Sequence, residues 1–388
     1  MCYYLLPHIS KNLNFDDVSI VFSDENTNNI CKTSYSYLTT LKKEIEHHTD
    51  KWDNFKKYTN TYEYIHSQIP NNKMSVSKHK PLSRSYFKFI EISNIFGLLD
   101  FNKKTNIKTF HLCEGPGGFI EAILNMRNNE NDTYHGMTLL NNDDNTPGWK
   151  KSSKFLKANK NVIIEGGEDN TGNIISSKNY SHIINTKKYS NIFDIITGDG
   201  GFDFSKNFNN QENICNKLIL AQILYAISMQ KKNGSFILKI FDIFSKATID
   251  FLYLLSLFYD KVYIHKPHTS RLANSEKYII CKNFKFNTTK NYFNLFHDLL
   301  VKIETTDKVF ISNLLKTKLP YFFICKIEEI SNVLCQFQIN IINNTIQLIK
   351  YNKNDLKDKI DEMIRLNVSK CVQWCLKNNV TYNKNCKI

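Results

Sequence analysis

A lysine stands inside an otherwise apolar run, Phe236-Ile237-Leu238-Lys239-Ile240-Phe241. An ammonium is poorly tolerated there, because desolvating it without a carboxylate partner is costly. Such a lysine is paired, catalytic, or on an edge strand from which it reaches solvent. A second apolar run delivers an aspartate at its carboxyl end and then two glycines: Asp194-Ile195-Ile196-Thr197-Gly198-Asp199-Gly200-Gly201-Phe202. A third, Phe110-His111-Leu112-Cys113-Glu114-Gly115-Pro116-Gly117-Gly118-Phe119, reads as a strand, a glycine-rich turn and a helix. Glycines after a first strand let the backbone pass close to a ligand, and the helix N-terminus adds free N–H groups. The alternative is a tight strand-to-helix turn. The run is not GxGxxG and Pro116 interrupts it, which disfavours a nicotinamide dinucleotide. Glu114, just before the glycines, suits a ligand with a cationic ammonium or sulfonium group.

Two further pieces are weaker when read alone. The segment Lys266-Pro267-His268-Thr269-Ser270-Arg271-Leu272-Ala273-Asn274-Ser275-Glu276-Lys277-Tyr278 puts a carboxylate at the start of a strand, after a basic and polar loop that would otherwise be a solvated turn. Ser83-Arg84-Ser85-Tyr86-Phe87-Lys88 puts a lysine on a helix that would otherwise be an ordinary surface residue.

These residues need a scaffold, and the hydrophobic pattern supplies one. Apolar residues at helical spacing (Leu38, Leu41, Ile45, Trp52, Phe55) predict one or two amphipathic helices ended by Pro70, and a further helix runs over 83–96 until Gly97 stops it. Strands are predicted at 108–112, 134–139, 162–165, 193–197, 235–241, 262–265 and 278–281. Helices lie between them: one opening at Gly118, one carrying Ile214, Leu218, Ala221 and Tyr225, and one from Ile249 to Phe258. That alternation predicts a doubly wound α/β sheet. The last two strands are joined by a loop too short for a helix, so they form an antiparallel hairpin at the end of the sheet. Beyond residue 287, Phe293, Phe296, Leu300 and Ile303 mark one helix, Leu356, Ile360 and Met363 another, and 321–327 reads as a strand.

Taken together, the glycine turn, the Asp199 element, the Lys239 strand and the 266–281 hairpin resemble the FtsJ-like ribose 2′-O-methyltransferases. Within that family they are most similar to the eukaryotic and viral mRNA cap 2′-O-methyltransferases. The hairpin, Lys-Pro-x-Thr-Ser-Arg-x-Ala-Asn-Ser-Glu-x-Tyr before an apolar strand, is the most specific part. The resemblance covers residues 81–285. It implies a Rossmann-like class I methyltransferase fold, with a seven-stranded, mostly parallel sheet ending in an antiparallel hairpin. It implies S-adenosyl-L-methionine as cofactor and the capped mRNA 5′ end as partner. Its Lys-Asp-Lys-Glu tetrad falls on Lys88, Asp199, Lys239 and Glu276. Its cofactor-binding positions fall on Ser83, Glu114, Gly115, Pro116, Gly117, Gly118, Phe119 and Asp199, with Asn173 or nearby Asp169 where the family has an acidic residue near the adenine. Positions for substrate RNA fall on Arg84, Asn213, His268, Ser270, Arg271, Asn274 and Ser275.

In such an enzyme the donor is already reactive, so the protein must align the 2′-oxygen and remove its proton. Lys239 is then expected to be the base or the group that orients the hydroxyl, its pKa lowered by burial and by Lys88. Lys78, Lys80, Arg84, Lys266, His268 and Arg271 are expected to form a basic rim. Trp149 either stacks on a methylated guanine or anchors its loop. The competing readings are an rRNA or tRNA 2′-O-methyltransferase, an inactive methyltransferase-like RNA-binding scaffold, and a small-molecule methyltransferase.

Composition agrees with this reading. The 388 residues carry 51 Lys+Arg against 37 Asp+Glu, a net charge of +14 that favours a polyanionic partner, though biased codon usage in an Asn/Lys/Ile-rich chain contributes to it. No apolar run approaches the ~20 residues that span a bilayer, and the opening residues do not read as a signal peptide. The ten cysteines include no CxxC pair and no zinc-like cluster, so reduced thiols and no structural metal are expected. The expected organisation is an N-terminal helical extension (1–80), a methyltransferase domain (81–286) and a small C-terminal unit (287–388). The chain is expected to act as a monomer, in association with other capping enzymes if it has partners beyond RNA. The expected location is intracellular, in the cytoplasm rather than the nucleus, or in a viral factory or the virion if the chain is viral; the Asn/Lys/Ile/Tyr bias points to an AT-rich genome, that of a large DNA virus or a protist.

Overall fold

Successive residues of the apolar runs fall into two different cores, which is why those runs are strands. Ile195 and Ile196 pack on opposite faces, Ile237 and Leu238 divide the same way, and so do Ile280 and Ile279. This is the period of two that a pleated strand imposes. The computed structural model describes residues 3–25, 30–100, 105–140, 148–201, 210–351 and 353–386; Phe202 and most of the polar stretch before Trp149 lie outside them.

The strands are β1 (Tyr3–Leu5), β2 (Val18–Ser23), β3 (Lys108–Leu112), β4 (Thr133–Met137), β5 (Val162–Ile164), β6 (Phe193–Gly198), β7 (Gln230–Ile240), β8 (Tyr259–His265), β9 (Lys277–Phe284) and β10 (Phe310–Leu315). The helices are α1 (Lys32–Glu46), α2 (Thr49–Thr59), α3 (Ser85–Phe96), α4 (Gly118–Arg127), α5 (Ser153–Ala158), α6 (Ser177–Ser181), α7 (Gln211–Met229), α8 (Lys246–Phe258), α9 (Phe293–Thr305), α10 (Tyr321–Ile349) and α11 (Lys353–Lys377).

The main sheet is eight-stranded, in the order β1-β8-β9-β7-β6-β3-β4-β5. Strands β5, β4, β3, β6 and β7 are parallel, and β9 inserts antiparallel between β7 and β8. From β3 the chain winds first toward β4 and β5 and then returns to β6. The crevice at the carboxyl ends of β3 and β6 is therefore a topological switch point, where open α/β sheets bind ligands.

All the strands predicted for the sheet are present, as β3 to β9. The expected count of seven is corrected by β1, which pairs antiparallel with β8 through Tyr3↔His265 and Leu5↔Tyr263. Three residues ahead of Pro7 show no periodicity to read.

A second correction concerns 321–327, predicted as a strand. It is the first part of α10, whose buried residues Phe323, Ile327, Ile330, Leu334, Gln338 and Ile342 recur every three or four positions. The apolar run was too short to separate strand from helix, and the period shows only over the full helix.

Residues on either side of the family-like region pack together. Leu38, Leu41, Ile45 and Trp52 of α1 and α2 share a core with Cys335, Ile339, Ile342 and Ile346 of α10. In a separate core Ile364, Val368, Cys371 and Trp374 of α11 join Tyr64, Ile65 and Phe87. Strand β10 pairs with β2 in a separate two-stranded sheet.

Candidate active site

The turn after β3 closes tightly. Gly117, at φ +100°, is in the left-handed region that favours glycine, and a Cβ on Gly118 would run into the hydroxyls of Ser83 and Ser85. Those two hydroxyls hydrogen-bond each other at 2.5 Å, so Ser83 does lie against the turn. Glu114 does not face outward as its place before the glycines suggested. One carboxylate oxygen accepts the Phe119 N–H. The other lies 2.9 Å from His111 Nδ1, in a side chain 1% exposed, and accepts from Thr197 Oγ1 at 3.4 Å. Burial raises its pKa, partly opposed by His111. Glu114 braces the turn through these contacts.

Trp149 anchors its loop against the same turn. A Cβ on Gly136 would meet its ring at 2.7 Å and one on Gly117 at 3.2 Å, so the ring covers both glycines. Its indole N–H is buried without a hydrogen-bond partner among the described residues.

Beyond β5 the chain folds back as a loop with Asn179 at its centre. The Asn179 amide donates to Asp169 Oδ1 at 2.9 Å and to the Asn173 carbonyl at 3.0 Å, while its oxygen accepts from the Glu168 N–H at 2.8 Å. Asn173 Oδ1 accepts the Ile175 N–H at 3.0 Å, and Asp169 is exposed. Gly172, at φ +68°, packs where a Cβ would strike the Thr138 carbonyl just past β4. Both adenine candidates therefore stand at the carboxyl ends of β4 and β5.

The four residues of the expected tetrad come together from four elements. Lys88 of α3 lies 2.7 Å from Glu276 Oε1. Lys239 of β7 donates to the Asp199 carbonyl at 2.6 Å and lies 3.3 Å from its carboxylate. Tyr278 joins the two pairs: its hydroxyl donates to Asp199 Oδ1 at 3.0 Å, and Lys88 Nζ sits 5.9 Å from its ring centroid. It faces Lys239 directly across β9 and β7. Ser270 donates to Glu276 at 2.8 Å. Burial would raise the Glu276 carboxyl, but Lys88, Lys239 and Lys266 overrule it and hold the group well below the carboxylate range. Burial would likewise lower Lys239, and here Asp199 and Glu276 win, so its pKa is raised. The expected depression by Lys88 is corrected for a plain reason: the charge of Lys88 is spent on Glu276.

The loop from 267 to 275 is gripped on two sides. Glu63, fully buried, accepts from Arg271 Nη2 at 2.7 Å and Nε at 3.0 Å and from Arg84 Nη1 at 3.1 Å. Arg84 also donates to the Thr269 carbonyl at 3.0 Å. Glu91 accepts the His268 N–H at 2.7 Å and the Thr269 N–H at 3.1 Å.

The expected basic rim therefore changes. Lys78 and Lys80 are exposed, whereas Arg84 and Arg271 share one carboxylate and His268 pairs with Glu91 at 3.0 Å. Lys266 is buried, donates to the carbonyls of Asn274 and Glu276, and is brought down to about 7 chiefly by burial. Ser270, Ser275 and Asn213 are buried as well, while Asn274 is exposed. Ser275 donates to Gln211 at the head of α7. The sequence reading did not single out Tyr278, Glu63 or Glu91. Tyr278 lay within the hairpin motif; Glu63 and Glu91 carry no local signal.

Comparison with known proteins covers the same span. The model of the FtsJ-like methyltransferase family matches residues 81–284. The chain is 32% identical over 198 residues to cap-specific mRNA (nucleoside-2′-O-)-methyltransferase 1 of Caenorhabditis elegans, covering 50% of this chain and 20% of that protein. It is 27% identical over 291 residues to cap-specific mRNA (nucleoside-2′-O-)-methyltransferase 2 of Danio rerio, covering 72% of this chain and 38% of that protein. It is 33% identical over 205 residues to the human methyltransferase 1, covering 50% of this chain and 24% of that protein. The matches thus span between a fifth and two-fifths of these relatives' length. Among solved structures, a protein described as a ribosomal RNA methyltransferase from Plasmodium falciparum overlaps 53% of this chain and 99% of its own, at 23% identity and a TM-score of 0.36.

Proposed function

This chain belongs to the FtsJ-like methyltransferase family, and from that premise we propose that it methylates the ribose 2′-hydroxyl of a cap-proximal mRNA nucleotide, with S-adenosylmethionine as donor. The observation that carries the reading is the meeting of Lys88, Asp199, Lys239 and Glu276, from four separate elements, at the switch point of the sheet.

The residues present fit the donor. The turn at Gly117 and Gly118 has no Cβ to keep a ligand off its backbone, and the Trp149 ring packed on Gly117 carries a buried N–H with no partner among the described residues. Residues 115–119 would hold the donor together with Asp169 or Asn173. When bound, it supplies a methyl carbon on a positively charged sulfur, already activated for displacement.

What remains for the chain is to place an oxygen and take its proton. Lys239, 14% exposed, reaches the crevice from inside the sheet, with its Nζ fixed by the Asp199 carbonyl and carboxylate. As an ammonium it orients the ribose oxygen by donating to it; as a neutral amine it accepts the hydroxyl proton. Glu276 keeps Lys88 beside this group and balances the charge.

The test is to map the methylated ribose after reaction with labelled donor, using one short RNA with and without a 5′ cap. Label on the first or second transcribed ribose of the capped RNA alone supports the reading. Equal label on both RNAs would replace it with a cap-independent RNA methyltransferase.

A further inference from the structure

Beside the catalytic loop runs a groove of about 180 Å³, one wall of which comes from outside the family match. Tyr62, His268, Lys370, Trp374 and Lys377 line it over Glu91.

Its floor is built and fully committed. Glu91, 3% exposed, lies 3.0 Å from His268 Nδ1 and accepts from Trp374 Nε1 at 3.2 Å and Thr269 Oγ1 at 3.0 Å, besides the two backbone N–H groups of the loop. Its carboxylate is thus engaged on both oxygens.

The wall is different. Lys370 and Lys377 are seven residues apart on α11, so they share a face two turns apart. Both are exposed, and neither has an ion-pair partner among the described residues. Tyr62 presents a half-buried ring, 4.9 Å from that of His268. The groove lies close to the tetrad: Glu91 follows Lys88 by three residues on α3, about 4.5 Å along the axis, and Thr269, which Glu91 binds, precedes the serine that binds Glu276.

We propose that this groove is a second RNA subsite, in which Lys370 and Lys377 hold phosphates flanking the methylated nucleotide and the Tyr62 ring takes a base. The proposal rests on the reading of the tetrad as an RNA 2′-O-methyltransferase site, and it assigns the C-terminal helix a role in substrate binding. Unpaired cations track a phosphodiester backbone, and an aromatic face stacks on a base of any identity.

The experiment measures binding of a fluorescein-labelled, capped ten-nucleotide RNA by anisotropy from 50 to 300 mM salt. K370A/K377A is compared with K357A/R365A, which removes the same charge from exposed positions of α11 outside the groove. Each phosphate contact on a single strand contributes about 0.7 to the log–log salt slope, so K370A/K377A should lower the slope by about 1.4 and weaken binding on the order of tenfold. K357A/R365A should leave the slope nearly unchanged.

Equal effects of the two double variants, or an unchanged slope in K370A/K377A, would overturn the subsite. So would an absence of RNA binding by the parent protein. Because anisotropy needs no methyl transfer, a groove-dependent slope in a protein that methylates no RNA would remove the reading of the tetrad and leave the subsite standing.

Discussion

Lys239 carries its proton at neutral pH, and this fixes what its neighbours can do. Burial favours the neutral amine, but Asp199 and Glu276 together favour the ammonium more. If the amine is the base, its population rises tenfold per pH unit below the lysine pKa, so kcat should climb steadily on the alkaline side. Glu276→Gln removes one of the two carboxylates holding that proton. The alkaline limb should then shift to lower pH, while the maximal rate falls because Lys88 has lost its partner. A pH–kcat series on both proteins checks this, and an unmoved limb in Glu276→Gln rejects the coupling. Lys239→Arg keeps the charge but cannot be deprotonated, so kcat should drop by about 10²- to 10⁴-fold; undiminished turnover would remove Lys239 from the role of base. Tyr278→Phe tests the link between the pairs. Losing a hydrogen bond to a charged group is worth about 1.5 kcal/mol, so kcat should fall roughly tenfold with little change in KM for the donor.

The element that assembles the site is the loop from 267 to 275, and two glutamates outside the recognised motifs hold it. Glu63 binds the guanidinium of Arg271 in a fork and that of Arg84 through one nitrogen. It thereby ties the loop bearing Glu276 to the helix bearing Lys88. Its carboxyl is held well below the usual range, against burial, by those arginines. Glu63→Gln leaves two poorly solvated cations without a counter-charge and should destabilise the protein by on the order of 3 kcal/mol at neutral pH. Chemical denaturation measures this, and a loss under 1 kcal/mol would show that the clamp is incidental. This device also marks where the sequence stops being legible. Lys239 and Asp199 stand out because unbroken apolar runs enclose or end at them, and the run lengths gave β3 to β9 within a few residues. Glu63 is separated from Arg271 by 208 positions, and nothing around Glu63 distinguishes it from any polar helical residue. Only the fold brings the partners together. Glu114 was visible beside the glycines, but spacing does not say which way its carboxylate points, so its contacts with His111 and Thr197 show only in the fold. Helix α10 was lost to a window of seven residues.

Across the whole molecule, the surplus of +14 is not a uniform coat of charge. Part of it lies inside, where single carboxylates each serve two cations. Asp242 is the second such centre, with Lys42 of α1 at 3.0 Å on one oxygen and Lys277 of β9 at 3.0 Å on the other, all three side chains being at most 12% exposed. It fastens the N-terminal helices to the carboxyl end of β7 and the start of β9, just behind the hairpin that carries Glu276. Burial alone would raise its carboxyl, but the two lysines overrule burial and bring it down from 3.8 to about 2. A carboxyl depressed on folding stabilises the protein fully above its unfolded pKa and loses that contribution as pH falls through the folded one. For Asp242 the loss runs from about pH 4 down to about pH 2, and its size is on the order of 2 kcal/mol. Asp242→Asn should be less stable than the parent at pH 7 by about 3 kcal/mol, since two buried lysines are left facing a neutral amide. Below pH 4 the parent should converge on the variant, because a protonated Asp242 also leaves the two lysines without a counter-charge. Thermal denaturation of both proteins between pH 7 and pH 2 reads the gap directly. Parallel loss of stability, with the gap unchanged at low pH, would mean that acid unfolds the protein through other carboxylates and that Asp242 is not the fastening.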